Sequence, residues 1–347
     1  MLTIPAQTLT AAGVALLSAA GLPAEQAAVA ADHLVEANLV GHDSHGVIRI
    51  PYYVEGLRNG ELAPVGSQKV VRETPSTLVL DANRSFGIVL AYDAMREAVK
   101  RAQIYSFGAV AVHRSGHIGR LGAYPALAAD QDCIGVILLN GGAQFMAPFG
   151  GTARRLPPNP IAISIPCGDA SHLMLDITTS VAAGGKVDVQ RARGLPLPEG
   201  WLIDAAGNPV TDPERFRGSD VAMLPLGGPL GHKGYGLAMM IDAIAGGLSW
   251  AGCSAEKPTR GGSGYLALAI KIDSFIDPDE YKREVKKLVD WVKSSPLMPG
   301  VTRIYVPGEV EDESRQRRLA EGVPVEEATW NAIGETAAKL GVTLPAI

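Results

Sequence analysis

Residues 108–140 consist of GAVAVH at 108–113, RSGHIGR at 114–120, LGAYPALAAD at 121–130 and, after three further residues, IGVILLN at 134–140. The first and last segments are short apolar runs, which are typical of buried strands. The third segment, rich in alanine, predicts a helix after a glycine-containing loop. A buried strand, a loop, a helix and a second buried strand in succession predict an α/β fold.

The alternation continues on both sides of this unit. Strands are predicted at residues 77–81, 161–166, 173–177 and 265–273, and the sequence around 161–177 looks like a strand pair. Helices are predicted at residues 88–105, 180–193, 234–248, 278–293 and across most of 311–340. The first forty residues predict two more helices that end at Gly41. Helices at both ends of the chain predict a helical lobe formed by residues 1–73 and 275–347, beside an α/β domain at 74–274.

Composition excludes several classes of protein. With 47% hydrophobic residues in 347, the chain has enough apolar material for a packed core, so intrinsic disorder is excluded. The net charge is −5 and the basic residues are scattered, which argues against nucleic acid as a partner. The one basic cluster, residues 315–318, follows four acidic residues and is interpreted as a solvated helix face.

Cysteine use and hydropathy indicate the compartment. The three cysteines are far apart and form no CxxC, so neither a disulfide framework nor a cysteine-based zinc site is expected. The N-terminal segment lacks the pattern of a signal peptide, and the most apolar stretch, residues 236–252, is interrupted by Asp242. We expect a cytoplasmic protein that does not use a membrane as a partner.

The densest polar cluster is Gly41-His42-Asp43-Ser44-His45-Gly46-Val47-Ile48-Arg49. A histidine can transfer a proton near neutral pH, and an arginine a few residues away offers a planar fork for a carboxylate. The alternative is a helix end followed by a surface loop whose histidines have no role. On the sequence alone, both interpretations stay open.

Two further glycine-rich segments approach predicted helices. Residues 113–122, HRSGHIGRLG, begin where a buried strand ends, and backbone N–H groups at such a helix start can hold an anion. Residues 229–237, PLGHKGYGL, place Lys233 where it could meet a phosphate or a ribose. Each segment is also compatible with a plain glycine turn whose polar side chains face solvent.

The spacing of residues gives less support to standard phosphate-binding, dinucleotide-binding, metal and serine-hydrolase motifs. The chain has no GxxxxGK[ST], and its one GxGxxA string, residues 262–267, precedes a strand where a dinucleotide fingerprint requires a helix. The pairs His42/His45 and His113/His117 have HxxH and HxxxH spacing, which leaves a metal-dependent hydrolase as an alternative. We nevertheless expect no metal, because HExxH is missing and glycines flank the histidines. A serine hydrolase using Ser44 lacks the GxSxG elbow.

Taken together, the motifs resemble the type-2 malate/L-lactate dehydrogenase family, which includes sulfolactate and ureidoglycolate dehydrogenases. The matching stretches occur in family order over nearly the whole chain: residues 41–52, 117–121, 159–160, 175–186, 197–213, 231–237 and 307–309. Residues 37–45 and 291–296 look most like its hydroxycarboxylate dehydrogenase branch. The resemblance implies a non-Rossmann fold, three-layer α/β/α with a mixed sheet, and a homodimer. It also implies that the helical lobe carries the substrate and catalytic residues and that residues 74–274 bind the cofactor.

The resemblance implies NAD(P)-dependent interconversion of a 2-oxo acid and a 2-hydroxy acid. His45 would donate and accept the proton, positioned by Ser44, with His117 as a second acid or base. Arg49 would bind the substrate carboxylate, and Tyr53 would also bind the substrate. Asp188 is a weaker candidate for an acid near the site. The residues implied to contact the cofactor are Asn140, Asp176, Ile177, Thr178, His232, Lys233, Pro307, Gly308 and Glu309.

Two segments depart from the family pattern, and two questions of function stay open. Residues 157–160 read PPNP where the family has Gly-Thr before Asn-Pro, and Gly184-Gly185 precede Lys186 where a bulkier residue is common. Either NAD or NADP is compatible with the sequence, because Arg154 and Arg155 could bind a 2′-phosphate or face solvent. A cyclic-imine reductase of the Δ1-piperideine-2-carboxylate type is the alternative within the family.

Overall fold

A computed structural model describes residues 1–141, 143–168, 171–256 and 263–347. The helices are α1 (Ala6–Ala19), α2 (Ala24–Leu39), α3 (Ile50–Arg58), α4 (Gly87–Tyr105), α5 (Ala123–Ala129), α6 (Gly184–Ala192), α7 (His232–Ile241), α8 (Gly247–Ser249), α9 (Pro278–Lys293), α10 (Glu309–Glu321) and α11 (Glu327–Leu340). The strands are β1 (Leu2–Ile4), β2 (Lys69–Glu73), β3 (Thr77–Asp81), β4 (Phe107–Ser115), β5 (Cys133–Asn140), β6 (Ile161–Cys167), β7 (Ser171–Ile177), β8 (Leu202–Asp204), β9 (Pro209–Val210), β10 (Val221–Met223), β11 (Ser263–Lys271) and β12 (Val323–Val325).

The centre of the molecule is a seven-stranded mixed sheet in the order β2-β3-β4-β11-β5-β6-β7. Strands β3 and β4 pair in parallel, and the other neighbours are antiparallel. Helices α4 and α5 pack against each other and against the sheet, while α7, a π-helical turn (Asp242–Gly246) and α8 also contact the central strands. This three-layer arrangement, with its mostly antiparallel sheet, differs from a Rossmann fold, as predicted.

Two glycines let the helices lie directly on the sheet. A Cβ at Gly108 on β4 would lie 1.8 Å from the carbonyl oxygen of Ala98 on α4. A Cβ at Gly135 on β5 would lie 2.4 Å from the carbonyl oxygen of Pro125 on α5. Strands β4 and β5 therefore carry glycine at the points where a helix backbone touches them.

The predicted helical lobe forms from both ends of the chain. Strand β1 pairs antiparallel with β12, so Leu2 lies opposite Val325. Helices α1, α2, α3 and α11 enclose one apolar core, which includes Leu16, Leu34 and Ile333. Residues more than 300 positions apart in sequence therefore share this core.

The observed elements differ from the predicted ones in several places. The helix predicted at 180–193 begins at Gly184, and the helical stretch predicted at 311–340 is divided by β12. A small sheet in the order β10-β8-β9, within residues 202–223, is not predicted by the sequence, because strands of two or three residues have no measurable periodicity. In the GxGxxA string, Gly262 lies outside the described residues, and residues 263–267 lie in β11.

The division into a lobe at 1–73 and 275–347 and a domain at 74–274 stays a prediction. Strand β2, at residues 69–73, pairs with β3 as the edge of the large sheet. Within the described residues, the helices are all too short or too polar to cross a membrane.

Candidate active site

A cavity of about 1060 Å³ lies where the loop after α2 meets the ends of the central strands. It is larger than most small-molecule sites, which occupy about 300–1,000 Å³. Its wall includes Ser44, His45, Arg49 and His117. The polar segment 41–49 and the glycine-rich segment 113–122 therefore both contribute to the wall of the same cavity.

His45 sits on a short 3-10 turn, Asp43–His45, and a second turn, Val47–Arg49, follows it. The Ser44 hydroxyl and His45 Nδ1 are 3.0 Å apart, within hydrogen-bond distance. The ring of His45 stacks on the ring of His117, with centroids 5.7 Å apart and planes 18° apart. Residues 72 positions apart in sequence thus form one pair of imidazoles.

A buried asparagine holds the turn in place. The Nδ2 group of Asn38 donates to Asp43 Oδ1 at 2.7 Å, and its Oδ1 accepts from the backbone N–H of Val47 at 2.8 Å. A Cβ at Gly46 would lie 2.1 Å from Asn38 Oδ1. Glycine at position 46 is therefore required by the close approach of the Asn38 amide to the backbone.

The contacts of His117 determine its tautomer. The backbone N–H of Gly119 donates to His117 Nδ1 at 3.4 Å, and the Tyr53 hydroxyl is 2.7 Å from the same nitrogen. Because Nδ1 accepts from an N–H, it carries no proton, so the hydroxyl of Tyr53 donates and the ring proton is on Nε2. Burial raises the pKa of Tyr53 well above its ordinary range, so this hydroxyl remains a donor.

Both stacked histidines are neutral near pH 7. Burial, and then the neighbouring His117 and Arg49, lower the pKa of His45 to about 3. Burial and the charge of Arg49 lower the pKa of His117 to about 4. The charged form is disfavoured because the rings are desolvated and a fixed cation lies near them.

Arg49 is oriented by the loop that carries His45. Its Nε donates to the carbonyl oxygen of Ser44 at 2.7 Å. Within the described part of the chain, its two Nη groups form no hydrogen bond. The far edge of the guanidinium is thus available for a ligand, and its planar fork matches a carboxylate.

Three of the nine predicted cofactor contacts lie in the cavity wall: Asp176, Ile177 and Thr178, at the end of β7. Asp176 Oδ2 accepts from the backbone N–H of Gly122 at 2.7 Å, which joins β7 to the start of α5. Its Oδ1 accepts no hydrogen bond from the residues that the structure describes. Asp188, the weaker candidate acid, also lines the cavity, where it is exposed and pairs with Arg191 at 2.8 Å.

The other six predicted contacts lie outside the cavity wall. Asn140 is buried at the end of β5, where its amide is 3.4 Å from the carbonyl oxygen of Gly252. His232 and Lys233 are at the start of α7, with Lys233 exposed and the His232 ring 5.6 Å from that of Phe149. Residues 307–309 lie beside β7, where the carbonyl oxygen of Pro307 accepts from Met174 N–H at 3.1 Å.

Residues at and near the departures from the family pattern have defined contacts. Asn159, fully buried, donates to the carbonyl oxygen of Ala238 and to Asp242, so the PPNP turn anchors the π-helical segment. The Arg154 guanidinium lies outside the cavity wall, where it donates to two backbone carbonyls and lies over the Phe216 ring. A Cβ at Gly185 would lie 2.6 Å from Ser44 Cβ, so glycine there lets α6 approach the Ser44 turn.

Two buried groups near the site were not predicted from the sequence. His33 on α2 accepts the backbone N–H of Arg120 at Nε2, at 3.0 Å, and burial lowers its pKa to about 3. The Arg120 side chain is only 3% exposed, and its Nε is 3.7 Å from Asp176 Oδ2. A histidine in an apolar helix and an arginine in a glycine loop have no local signal that predicts burial.

Among the described residues, His, Cys, Asp and Glu side chains form no group of three that could hold a metal ion. The two histidines of the HxxxH pair, His113 and His117, lie in different environments. His113 is buried beside Asp81, at 3.9 Å, whereas His117 faces the cavity.

Comparison with solved structures places this architecture in a known class of dehydrogenases. Sulfolactate dehydrogenase from Methanocaldococcus jannaschii superposes with a TM-score of 0.89 and 33% sequence identity. The match covers 99% of this chain and 98% of that chain.

The sequence comparisons agree with the structural comparison and identify the family. The family model for malate/L-lactate dehydrogenase matches residues 4–334, so the chain belongs to this family. It is 37% identical to L-sulfolactate dehydrogenase from Methanothermobacter thermautotrophicus, over 95% of this chain and 94% of that protein. It is 35% identical to hydroxycarboxylate dehydrogenase B from Escherichia coli, over 97% of this chain and 94% of that protein.

Proposed function

We propose that the chain is an NAD(P)-dependent oxidoreductase that interconverts a 2-oxo acid and a 2-hydroxy acid, with His45 as the proton donor and acceptor. Membership of the malate/L-lactate dehydrogenase family supports an oxidoreductase acting on hydroxy acids. The observation that carries the proposal is the juxtaposition in one cavity of two stacked neutral imidazoles and an arginine with a free guanidinium edge. The guanidinium edge can bind the carboxylate of such an acid, and an imidazole can exchange a proton with the neighbouring hydroxyl or carbonyl oxygen.

The proton step follows from the state of His45. With a pKa near 3 in the free protein, His45 is neutral at pH 7 and has an unprotonated ring nitrogen that can accept the hydroxyl proton of a 2-hydroxy acid. In the opposite direction, His45 first takes up a proton. A bound carboxylate favours that uptake, because an anion near an imidazole stabilises its charged form. The Nε2–H of neutral His117 would donate a hydrogen bond to the substrate oxygen.

The substrate carboxylate would bind to the Nη groups of Arg49. Its Nε bond to the Ser44 carbonyl fixes the plane of the guanidinium relative to the Ser44–His45 pair. One loop therefore orients both the carboxylate and the proton-transfer group, so the reacting carbon is placed by two contacts from the same turn.

The residues present fit a nicotinamide dinucleotide. Asp176 offers Oδ1, which no described residue engages, and a carboxylate is the group that binds ribose hydroxyls at other dinucleotide sites. When bound, the nicotinamide would supply or accept the hydride. The protein would have to orient it, exclude water and move one proton.

An exposed apolar surface supports the homodimer. The segment from α7 to α8 leaves Leu237, Met240 and Leu248 exposed, by 37%, 59% and 57%, beside the predicted cofactor contacts His232 and Lys233. Large apolar side chains grouped on a surface are typical of protein interfaces. A second copy covering this surface would place His232 and Lys233 near a subunit boundary. The cytoplasmic location stays a prediction.

The experiment that tests the proposal starts with NADH and NADPH titrations, followed by a panel of 2-oxo acids with the cofactor that binds. We expect one nucleotide to bind and at least one 2-oxo acid to be reduced. Reduction of Δ1-piperideine-2-carboxylate without reduction of any 2-oxo acid would favour the imine reductase. Failure of all substrates with both nucleotides would refute the proposed activity.

A further inference from the structure

We propose that Arg318, on helix α10, is a positioning residue that holds the His45 turn in its reactive geometry through Asp43. The inference rests on the proposed role of His45 in proton transfer. Arg318 belongs to the basic cluster at 315–318, and the prediction that this cluster is a solvated face is wrong for it. Its side chain is only 12% exposed.

Helix α10 presents one face to the end of α2 and the loop after it. Glu311, Ser314, Arg315 and Arg318 have the spacing of neighbours on one helix face. Glu311 is 3.5 Å from His42 Nε2, and the Ser314 hydroxyl donates to the carbonyl oxygen of Leu39 at 2.9 Å. The His45 loop is therefore supported from outside by a helix near the other end of the chain.

Arg318 makes a bidentate contact with Asp43. Its Nη1 donates to Asp43 Oδ1 at 2.6 Å, and its Nη2 donates to Asp43 Oδ2 at 3.1 Å. The same Nη1 also donates to the carbonyl oxygen of Asn38. A bidentate arginine–carboxylate pair has a fixed relative orientation, which a single ion pair does not.

Asp43 transmits this orientation to His45. Its Oδ1 also accepts from Asn38 Nδ2, and its backbone carbonyl accepts from Gly46 N–H at 3.2 Å. Asp43 and Gly46 therefore bracket the residues Ser44 and His45 in one hydrogen-bonded turn. Rotation of the Asp43 side chain would tilt this turn and change the stacking of His45 on His117.

Arg315 provides a matched control on the same helix. Its Nε lies 3.1 and 3.2 Å from the two carboxylate oxygens of Glu36 on α2. Arg315 thus joins the same two helices through an ion pair, but Glu36 is not part of the His45 turn. Loss of Arg315 removes a contact between α10 and α2 without releasing Asp43.

The kinetic test compares Arg318→Met, Arg318→Lys and Arg315→Met in the full-length enzyme. We expect Arg318→Met to lower kcat by about 10- to 100-fold, since small misplacement of a reacting group has effects of this size. Arg318→Lys, which keeps the charge without the fork, should recover part of the loss. The dissociation constant for NADH or NADPH should change less than about twofold in all three, and Arg315→Met should keep the wild-type kcat.

A double-mutant cycle that combines Arg318→Met with Asp43→Asn tests whether Arg318 and Asp43 act as a unit. If Arg318 acts through Asp43, the double variant Asp43→Asn/Arg318→Met should lose no more kcat than the more impaired single variant. Independent, multiplying losses would contradict the proposed path. Should Arg318→Met fail to fold, Arg318→Lys and Asp43→Asn carry the same comparison.

Hydrogen exchange of the peptide containing residues 41–47 gives a readout without catalysis. We expect faster exchange of the His45 and Gly46 amides in Arg318→Met, and wild-type exchange in Arg315→Met. Equal exchange and equal kcat in the two variants would overturn the proposal. The proposal would also be overturned if the loss of kcat in Arg318→Met came with a comparable fold-loss of nucleotide affinity and a lower Tm, because that combination indicates general destabilisation. If wild-type protein reduces no substrate, the proposed function fails while the exchange result still tests the positioning.

Discussion

Residues 41–49 and 229–237 look alike in sequence, since both place histidine and a cation among glycines near a helix, and they differ in the structure. In the first segment, the side chains of His45 and Arg49 face a cavity, and buried polar groups hold their backbone. In the second, His232 and Lys233 lie outside that cavity, beside exposed apolar side chains. A desolvated, hydrogen-bonded loop is suited to chemistry, whereas an open glycine turn needs a ligand or a second subunit to complete a site.

The largest expected difference between the segments is between His45→Ala and His232→Ala. We expect His45→Ala to lower kcat by about 10²–10⁴-fold, the usual contribution of general acid–base catalysis, with nucleotide affinity nearly intact. His232→Ala should change nucleotide affinity more than kcat. Steady-state kinetics and nucleotide titration of both variants measure this, and equal losses of turnover and affinity in His45→Ala would refute its assigned role.

The pH dependence of the two directions sharpens the assignment of His45. With a pKa near 3, its protonated fraction falls about tenfold per pH unit at neutral pH, so kcat/KM for 2-oxo acid reduction should fall about tenfold per unit from about pH 6 to 8. The oxidation of the hydroxy acid uses the neutral form, so its kcat/KM should be flat with respect to this group. A flat profile for reduction would contradict the neutral resting state.

The buried histidines His33 and His45 should make the free energy of unfolding depend on pH. His33 and His45 have a lower pKa in the folded chain than in the unfolded chain, so the unfolded state binds more protons between about pH 6.5 and 3. The free energy of unfolding should therefore decrease as the pH falls through this window. Urea denaturation of wild type and His33→Gln at two pH values measures it, and the variant should show a smaller decrease.

Glycine substitutions test how tightly each segment is held. Gly46→Ala places a Cβ against the Asn38 amide, so we expect a loss of about 1–3 kcal/mol in the free energy of unfolding. Gly236 lies inside α7, where a Cβ would meet none of the described neighbouring groups of the same chain within 4 Å, so Gly236→Ala should gain about 0.5–1 kcal/mol in the unfolding of a single subunit. Urea denaturation of both variants measures the difference. Similar effects at the two sites would show that the packing around Asn38 is not rigid.

The two cations, Arg49 and Lys233, should also differ in their effects. Arg49→Lys should raise KM for the oxo acid by about 10-fold or more, because hydrogen bonds to charged groups contribute about 1.5–3 kcal/mol. Lys233→Met should weaken nucleotide binding by only about two- to fivefold, as expected for an exposed charge. Steady-state kinetics and nucleotide titration measure the two effects. An unchanged KM in Arg49→Lys would remove Arg49 from the carboxylate site.

Local pattern predicts the main elements of the fold. The apolar runs of β4 and β5 and the periodicity of α4 and α9 are visible because strand and helix spacing is carried by neighbouring residues. The β8–β10 sheet and the break at β12 are not visible, since strands of two or three residues carry too little pattern. The polar cluster at 41–49 also stands out locally, because its residues are consecutive.

Residue pattern predicts the α/β alternation and the helical ends of the chain, and the resemblance to a family supplies the candidate residues. Which of these residues share a cavity depends on the tertiary structure. It brings His117 and Asp176 to His45, leaves Lys233 on the surface and sets Arg318 against Asp43 across 275 positions of sequence. The physical reason is that hydrophobic periodicity is a property of adjacent residues, whereas contacts between distant polar groups depend on how the complete core packs.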